Sequence, residues 1–543
     1  MKRSFKIIFT CIFLSVILFN QSFAQDFNTN YTTGKSAYEK KSYNKAIQSL
    51  QTARLQGKET VGDTHPDYIH TIEYLALSYQ AQKDLGNANI YFQSLEKLLF
   101  KSGNAVSEKM ASTQTHIADN SLHMKNFAQA SIYYDKAEKT TEKVTGTDSK
   151  AYASAKHKHA LLYVKGRKFK EADGMYRTLT PIAEKHLKGT AEYASILSEQ
   201  ADISMGLKRI EEAAIQLNLA ITEYEKSDAP KQSYVHLYLK EATLLEKNLK
   251  TDEAINAYKK YVDRLGDAFG IDHKKYLSEV ERLAVHIDLK LHSEKDAYDL
   301  MKKKSAGIQK KFGDKSLEVA ITFIELAELE INQNQIDIAN ANTDKAIAIY
   351  TEKGKNKSPE GISASITKAR IMNIQNSPDA ETAYKQIISD TESALGADHT
   401  TYGKALDSLA FFYIEAKRFD EAEKAITDGM TAREKSVGKQ HIDYGNSLYS
   451  LATLYSSQDS LVKAEKTLIQ VAKVREAYYG ALTLEHATCI KELGDLYKDM
   501  GDEKSAAALK TYRRAINLFE GIGMKDSDIV KDIYKSIDHI NTR

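Results

Sequence analysis

The chain has 543 residues, 28% charged and 42% hydrophobic, with a formal net charge of +2. That balance excludes a disordered chain and gives no electrostatic reason to expect nucleic acid or an anionic membrane as partner. Five prolines and 26 glycines are few for this length and favour long helices over a sandwich, while tryptophan is absent and cysteine occurs twice.

Residues 1–24 read as a targeting segment. Lys2, Arg3 and Lys6 form a positive head, Ile7 to Phe19 is almost unbroken apolar sequence, and Ser22-Phe23-Ala24 offers small residues to a signal peptidase. Cys11 lies within the apolar run, too early for a lipoprotein cysteine. Removal of this segment would leave an exported, soluble chain of net charge −1 with one cysteine, Cys489, and hence no internal disulfide. The periplasm is the expected compartment, with secretion as the alternative.

From there the chain is periodic. Glycines fall at 62, 103, 146, 189, 270, 313, 354, 396, 438, 480 and 523, with Pro230 in the one gap, so the interval stays between 40 and 43 residues. Such a period predicts a solenoid of helical hairpins, each closed by a glycine that takes a left-handed conformation without strain. Residues 25–523 form this array and 524–543 a C-terminal capping helix.

The first repeat places Ala37 and Tyr38 before Tyr43, Ala46 and Leu50; the second has Leu75, Ala76 and Tyr79, then Ala88, Phe92 and Leu95. In the third the second helix is clear (Ala130, Tyr134, Ala137), whereas Gln114 and Ser121 weaken the stripe of the first. Ala160, Tyr163, Ala172 and Tyr176 mark the fourth, Ala201, Ala213 and Leu217 the fifth. Repeats six to nine are degenerate, recognisable mainly by paired alanines at 242 and 254, 284 and 297, 327 and 339, and 369 and 380. Regularity returns in repeat ten, where Leu406, Leu409, Ala410 and Tyr413 share one helical face and Ala422, Ile426 and Gly429 another. Repeat eleven repeats it with Leu448, Leu451, Ala452 and Tyr455; repeat twelve carries a small insertion before Ala508, Tyr512 and Ala515. Ile529, Ile533, Ile537 and Ile540 give the last helix one apolar face and a polar back, as an open solenoid end requires.

The recurring Leu-Ala-x-x-Tyr of first helices, with Ala-x-x-x-(aromatic or Leu)-x-x-Ala of second helices, resembles the tetratricopeptide repeat. The 42-residue period and the Gly-Asp-Thr-His-Pro, Gly-Ile-Asp-His and Gly-Ala-Asp-His junctions at 62, 270 and 396 resemble its kinesin-light-chain-like variant. The resemblance implies an all-α, right-handed solenoid of about twelve helical hairpins.

Motifs for catalysis are missing: there is no His-Glu-x-x-His, Cys-x-x-Cys, Gly-x-Ser-x-Gly or Gly-x-Gly-x-x-Gly. Gly34-Lys35-Ser36 mimics the end of a phosphate loop but lies on a repeat helix without the upstream glycine. His159 occupies a stripe position and reads as a hydrogen-bonded core histidine, and His65, His273, His399 and His441 recur at junctions where they serve the turn. Cys489 reads as a quiet, buried thiol. The chain is therefore expected to be no enzyme and to hold no cofactor or metal.

Binding is the expected job. Stacked hairpins line a concave face with first helices, whose off-stripe residues meet a partner. Those residues are Lys404, Asp407, Phe411 and Ile414 in repeat ten, Asn446, Tyr449 and Thr453 in repeat eleven, and His70 and Glu73 in repeat two. Phe411 and Tyr449 are the expected anchors, unless they pack on neighbouring first helices. Repeat ten has Phe411 and repeat eleven Thr453 where the family's carboxylate clamp wants asparagine, which argues against a chaperone-tail receptor. The sequence thus points to an exported, non-enzymatic scaffold that holds protein or peptide segments, of unknown identity, in a concave groove. The alternative is a glycan-binding helical-repeat protein of the outer membrane or periplasm, a class that leans on tryptophan.

Overall fold

Each repeat forms two helices because an apolar stripe at helical spacing is bracketed by residues that stop the helix at both ends. The computed structural model describes residues 26–542 except 292 and 526; the expected targeting segment lies outside the described residues. No strand occurs among them.

The chain divides into two compact bodies, the first ending at Asn248 and the second beginning at Leu249. In the N-terminal body a helix over residues 26–39 pairs with Tyr43–Thr60, followed by the hairpins Pro66–Ala81/Leu85–Lys101, Glu108–His123/Phe127–Thr145, Lys150–Lys165/Phe169–Leu187 and Ala191–Gly206/Ile210–Lys226. Pro230 then replaces the junction glycine, and a single helical turn, Lys231–Tyr234, leads into His236–Lys247. The C-terminal body opens with Thr251–Phe269 and continues through Lys274–Leu291/Glu294–Phe312, Leu317–Asn332/Ile336–Glu352 and Pro359–Ile374/Ala380–Leu395. Thr400–Glu415/Phe419–Ser436, Ile442–Ser457/Leu461–Tyr479 and Leu484–Asp499/Ser505–Gly521 complete its hairpins. The insertion expected in repeat twelve is a short 3-10 turn, Asp502–Lys504. The capping helix runs from Asp528 to Asn541, starting four residues later than its sequence pattern.

The ends of these helices are built locally. Serine, threonine or histidine begins most first helices. Ser107, Ser149, Thr190 and Ser316 accept a backbone N–H through the hydroxyl, while His65, His399 and His441 accept one through Nδ1 at 3.1–3.2 Å. His273 accepts from the N–H of Lys275 at 3.1 Å, so all four junction histidines serve the turn as the sequence indicated. The eleven junction glycines have positive φ, between 63° and 95°.

The turn inside each hairpin is equally tight. Among the described turns it hangs on one left-handed residue, which is Lys41, Lys83, Lys125, Arg167, Lys208, Leu249, Asn334, Asn376, Lys417 or Asp459 with φ from 55° to 65°, and in the last hairpin Gly501 with φ 88°. The next N–H reaches back five residues to close the helix, as from Asp84 to the Tyr79 carbonyl at 3.0 Å and from Arg418 to that of Tyr413 at 2.8 Å.

The core lies between the two helices of a hairpin and the next. Alanines 46, 88, 130, 172, 213, 254, 297, 339, 380, 422, 464 and 508, one per second helix, are all buried. At that point the helices cross too closely for a longer side chain. The degenerate repeats keep the device, since the alanine pairs from 242/254 to 369/380 are buried as well. Where the stripe turns polar, hydrogen bonds take over. Ser121 accepts from Asn89 Nδ2 at 3.2 Å, and Gln114 donates to Glu96 and accepts from the Thr140 hydroxyl.

Candidate interaction groove

In the C-terminal body the first helices 317–332, 359–374, 400–415 and 442–457 stand side by side, and their shared face holds two adjoining concavities. One, of about 550 Å³, is lined by Ile324, Glu328, Arg370, Tyr384 and Phe412 among others. The other, of about 560 Å³, is lined by Thr401, Asp407, Arg433, Asn446 and Tyr449 among others. Lys404, Ser408 and Phe411 belong to both, so the two form one groove with Phe411, 40% exposed, at its midpoint.

The floor is stitched from helix to helix by polar pairs one repeat apart. Arg370 Nη1 meets Glu328 at 2.6 Å, Lys404 Nζ meets the Ser363 hydroxyl at 3.1 Å, and Asn373 donates to Glu415 at 2.5 Å. The Tyr449 hydroxyl donates to Glu492 at 3.0 Å, its ring lies 4.9 Å from the Arg475 guanidinium carbon, and burial beside Glu492 pushes its phenol up to about 12. Such pairs orient each first helix against the next and leave few charges free.

Beneath the groove lies a buried ion pair. Arg433, on a second helix, donates to Asp407 and to the Ser447 hydroxyl, and that hydroxyl contacts both Asp407 oxygens at 3.2 Å. Two glycines make room for it. A Cβ on Gly403 would stand 2.9 Å from Arg433 Nε, and one on Gly429 would stand 3.3 Å from the Gly403 carbonyl oxygen, so its absence lets the two helices close around the pair.

A tetratricopeptide-repeat family profile matches residues 404–443, the stretch that carries this pair and the Lys404, Ser408 and Phe411 shared by both concavities. That stretch is a tetratricopeptide repeat. Among solved structures the chain is similar to BtubC (BKLC) from P. vanneervenii, with 12% identity over 45% of this chain and 91% of that one and a TM-score of 0.35. It is also similar to the kinesin-light-chain TPR-like repeats of Podosopora anserina. A variant form matches at 18% identity over 37% of this chain and 94% of that one, and a second form at 16% over 39% and 99%, each with a TM-score of 0.29. No curated protein matches the chain. Tetratricopeptide repeats generally form non-enzymatic scaffolds that mediate protein–protein interactions.

Within this helical-repeat array the residues expected on the concave face divide sharply. Lys404, Phe411 and Asn446 are exposed in the groove. Tyr449 and Thr453 are half-buried, the tyrosine bonded to the next first helix and the Thr453 hydroxyl to the Tyr449 carbonyl. Asp407 and Ile414 are corrections to the sequence reading. Asp407 is 8% exposed and belongs to Arg433, and Ile414 is 9% exposed and packs in the core. Both sit off the expected stripe; Asp407 is drawn inward where Gly403 and Gly429 permit close approach, and Ile414 joins the apolar cluster of Ala410, Tyr413 and Leu454.

His70 and Glu73 belong to the N-terminal body and so to no part of this groove. Glu73 is held by Lys109 at 2.7 Å, and burial lowers the pKa of half-buried His70. What sequence reasoning missed is the seam itself, whose signal is a pair of opposite charges at matching positions one period apart, as in Glu328 and Arg370.

Other sequence expectations concern chemistry. His159 is a core histidine, its Nδ1 2.7 Å from Glu138. Cys489 is fully buried, and burial pushes its thiol up to about 12. Among the described residues no cluster of histidine, cysteine or carboxylate groups could hold a metal ion, and no helix is long and apolar enough to cross a membrane.

Proposed function

We propose that this tetratricopeptide-repeat protein is an exported scaffold that holds an extended protein segment in the groove of its C-terminal body. The observation that carries the reading is Phe411. It is a large apolar side chain left 40% exposed at the centre of a continuous groove whose surrounding polar groups are already paired with one another. A desolvated aromatic with hydrogen-bonding neighbours is the usual anchor of such an interface. Lys404 and Asn446, exposed on either side, supply the polar rim. Export and a periplasmic site of action rest on the positive head and apolar run of residues 1–24.

The test is peptide display against the purified protein, in parallel with Phe411→Ala and Asn446→Ala variants. Enrichment of a common peptide pattern that Phe411→Ala abolishes is the expected result. Peptides retained by both variants would place the site elsewhere, and binding on a glycan array would replace the reading with sugar capture.

A further inference from the structure

The turns of the N-terminal body have a chemistry that those of the C-terminal body lack. A left-handed backbone strains any side chain with a Cβ, and asparagine, aspartate and glycine tolerate it best. The C-terminal body uses Asn334, Asn376, Asp459 and Gly501 among its six described turns. In the N-terminal body all five positions are cations: Lys41, Lys83, Lys125, Arg167 and Lys208. All five are exposed, and among the described residues none has an ion-pair partner.

Sequence and cavity point to the same edge. Residues 150–170 hold seven cations and no carboxylate. Two of these are neutralised, Lys156 by Glu138 and Lys158 by Asp119. Lys165, Arg167, Lys168 and Lys170 are not. Along the same turns of hairpins two to four runs a concavity of about 1060 Å³. Lys83, Lys125, Lys158 and Lys165 line it, with Leu85, Leu122, Phe127 and Leu161 between them. Its one carboxylate, Asp119, already accepts the Tyr134 hydroxyl at 2.6 Å and Lys158 at 2.8 Å. His116 there stacks on Phe92 at 4.8 Å between centroids, and burial lowers its pKa, so the fixed cations set the potential.

We infer that this edge, distinct from the concave groove, is a docking surface for an acidic protein segment with apolar residues interspersed among its carboxylates. Charge complementarity selects the carboxylates, and the leucines and Phe127 select the apolar residues. Successive first helices pack at about 10 Å, so five turns span about 40 Å, the reach of roughly twelve extended residues. A bland role exists for each cation alone, since lysine just past a helix C-terminus complements the helix dipole. That role does not account for unbroken use at five turns beside an acid-poor cavity.

The experiment uses the full chain and a fluorescent 14-residue glutamate-rich peptide with two leucines. Single-stranded oligo-dT of equal charge and phosphatidylglycerol vesicles are the competing probes. The peptide is expected to bind, more weakly as salt rises. The fourfold variant Lys83→Asn, Lys125→Asn, Arg167→Asn, Lys208→Asn is expected to bind at least tenfold more weakly while keeping its melting temperature, because asparagine accepts the left-handed turn. Lys165→Gln with Lys168→Gln and Lys170→Gln removes charge without touching those turns, and is expected to weaken binding as well. Lys417→Asn, the same change in the C-terminal body, leaves binding unchanged. Absence of peptide binding, its survival in both multiple variants, or tighter binding of oligo-dT or vesicles overturns the inference. These variants leave Phe411 and the groove intact, so failure here does not touch the groove reading.

Discussion

At the scale of single residues, two buried charge clusters set the chemistry of the interior. Asp407 and Arg433 are stable together only because Gly403 and Gly429 admit them, and neither is tolerable alone. Asp407→Ala is expected to lower stability by about 3–5 kcal/mol because it strands the guanidinium, and the double change to Asp407→Leu with Arg433→Met should restore most of the loss, measured by urea unfolding. In the N-terminal body His157 lies between Glu199 at 2.7 Å and Glu192 at 3.4 Å, with the Tyr176 hydroxyl also on Glu199. Burial opposes its charge, but hydrogen bonds to Glu192 and Glu199 outweigh that and raise it from 6.5 to about 9. A raised pKa means the folded state holds the proton more tightly. Its stabilisation is complete below about pH 6.5 and is lost as pH climbs through about 9, at most about 3 kcal/mol. Unfolding measured across that window should show the decline in the parent and a flat profile in His157→Gln.

At the scale of helices and turns, packing follows from alanine. Ala422→Leu forces a larger side chain where two helices cross and is expected to cost about 1–3 kcal/mol, visible as a lowered Tm; an unchanged transition would refute the crossing. This level was the most legible in the sequence. Glycines at 40–43-residue intervals and one alanine per helix placed every hairpin, even in repeats six to nine, because both residues answer to local backbone geometry. Asp407 was misplaced because its burial depends on Gly429 and Arg433 in the next helix and Ser447 in the helix after, a relation between helices that periodicity within one helix does not contain. The left-handed cations were overlooked for another reason. Lysine and arginine are not residues that a left-handed turn favours, so nothing in the sequence marks Lys41, Lys83, Lys125, Arg167 and Lys208 as turn positions; only their positive φ does.

At the scale of the whole molecule, stability in a stacked array is a sum of hairpin terms and nearest-neighbour interfaces. A lesion should therefore stay local. Gly403→Ala, which drives a Cβ to 2.9 Å from Arg433, is expected to speed amide exchange in helices 359–374 through 461–479 while leaving helices 66–81 and 108–123 at their parent rates. The candidate groove was legible at this scale only in outline. Sequence named its helices and Phe411, whereas the polar pairs that occupy most of its other side chains required the stacking distance.

Cys489 turns this locality into a clock. Fully enclosed, with a thiol held up to about 12, it cannot be alkylated at neutral pH while the twelfth hairpin is closed. A thiol reagent applied to the chain from residue 25 onward, which contains no other cysteine, would mark each chain once, at a rate set by the opening of that hairpin. Removing the apolar contacts of Val530 and Ile533 in the terminal helix should quicken it, and a partner seated on the C-terminal end should slow it.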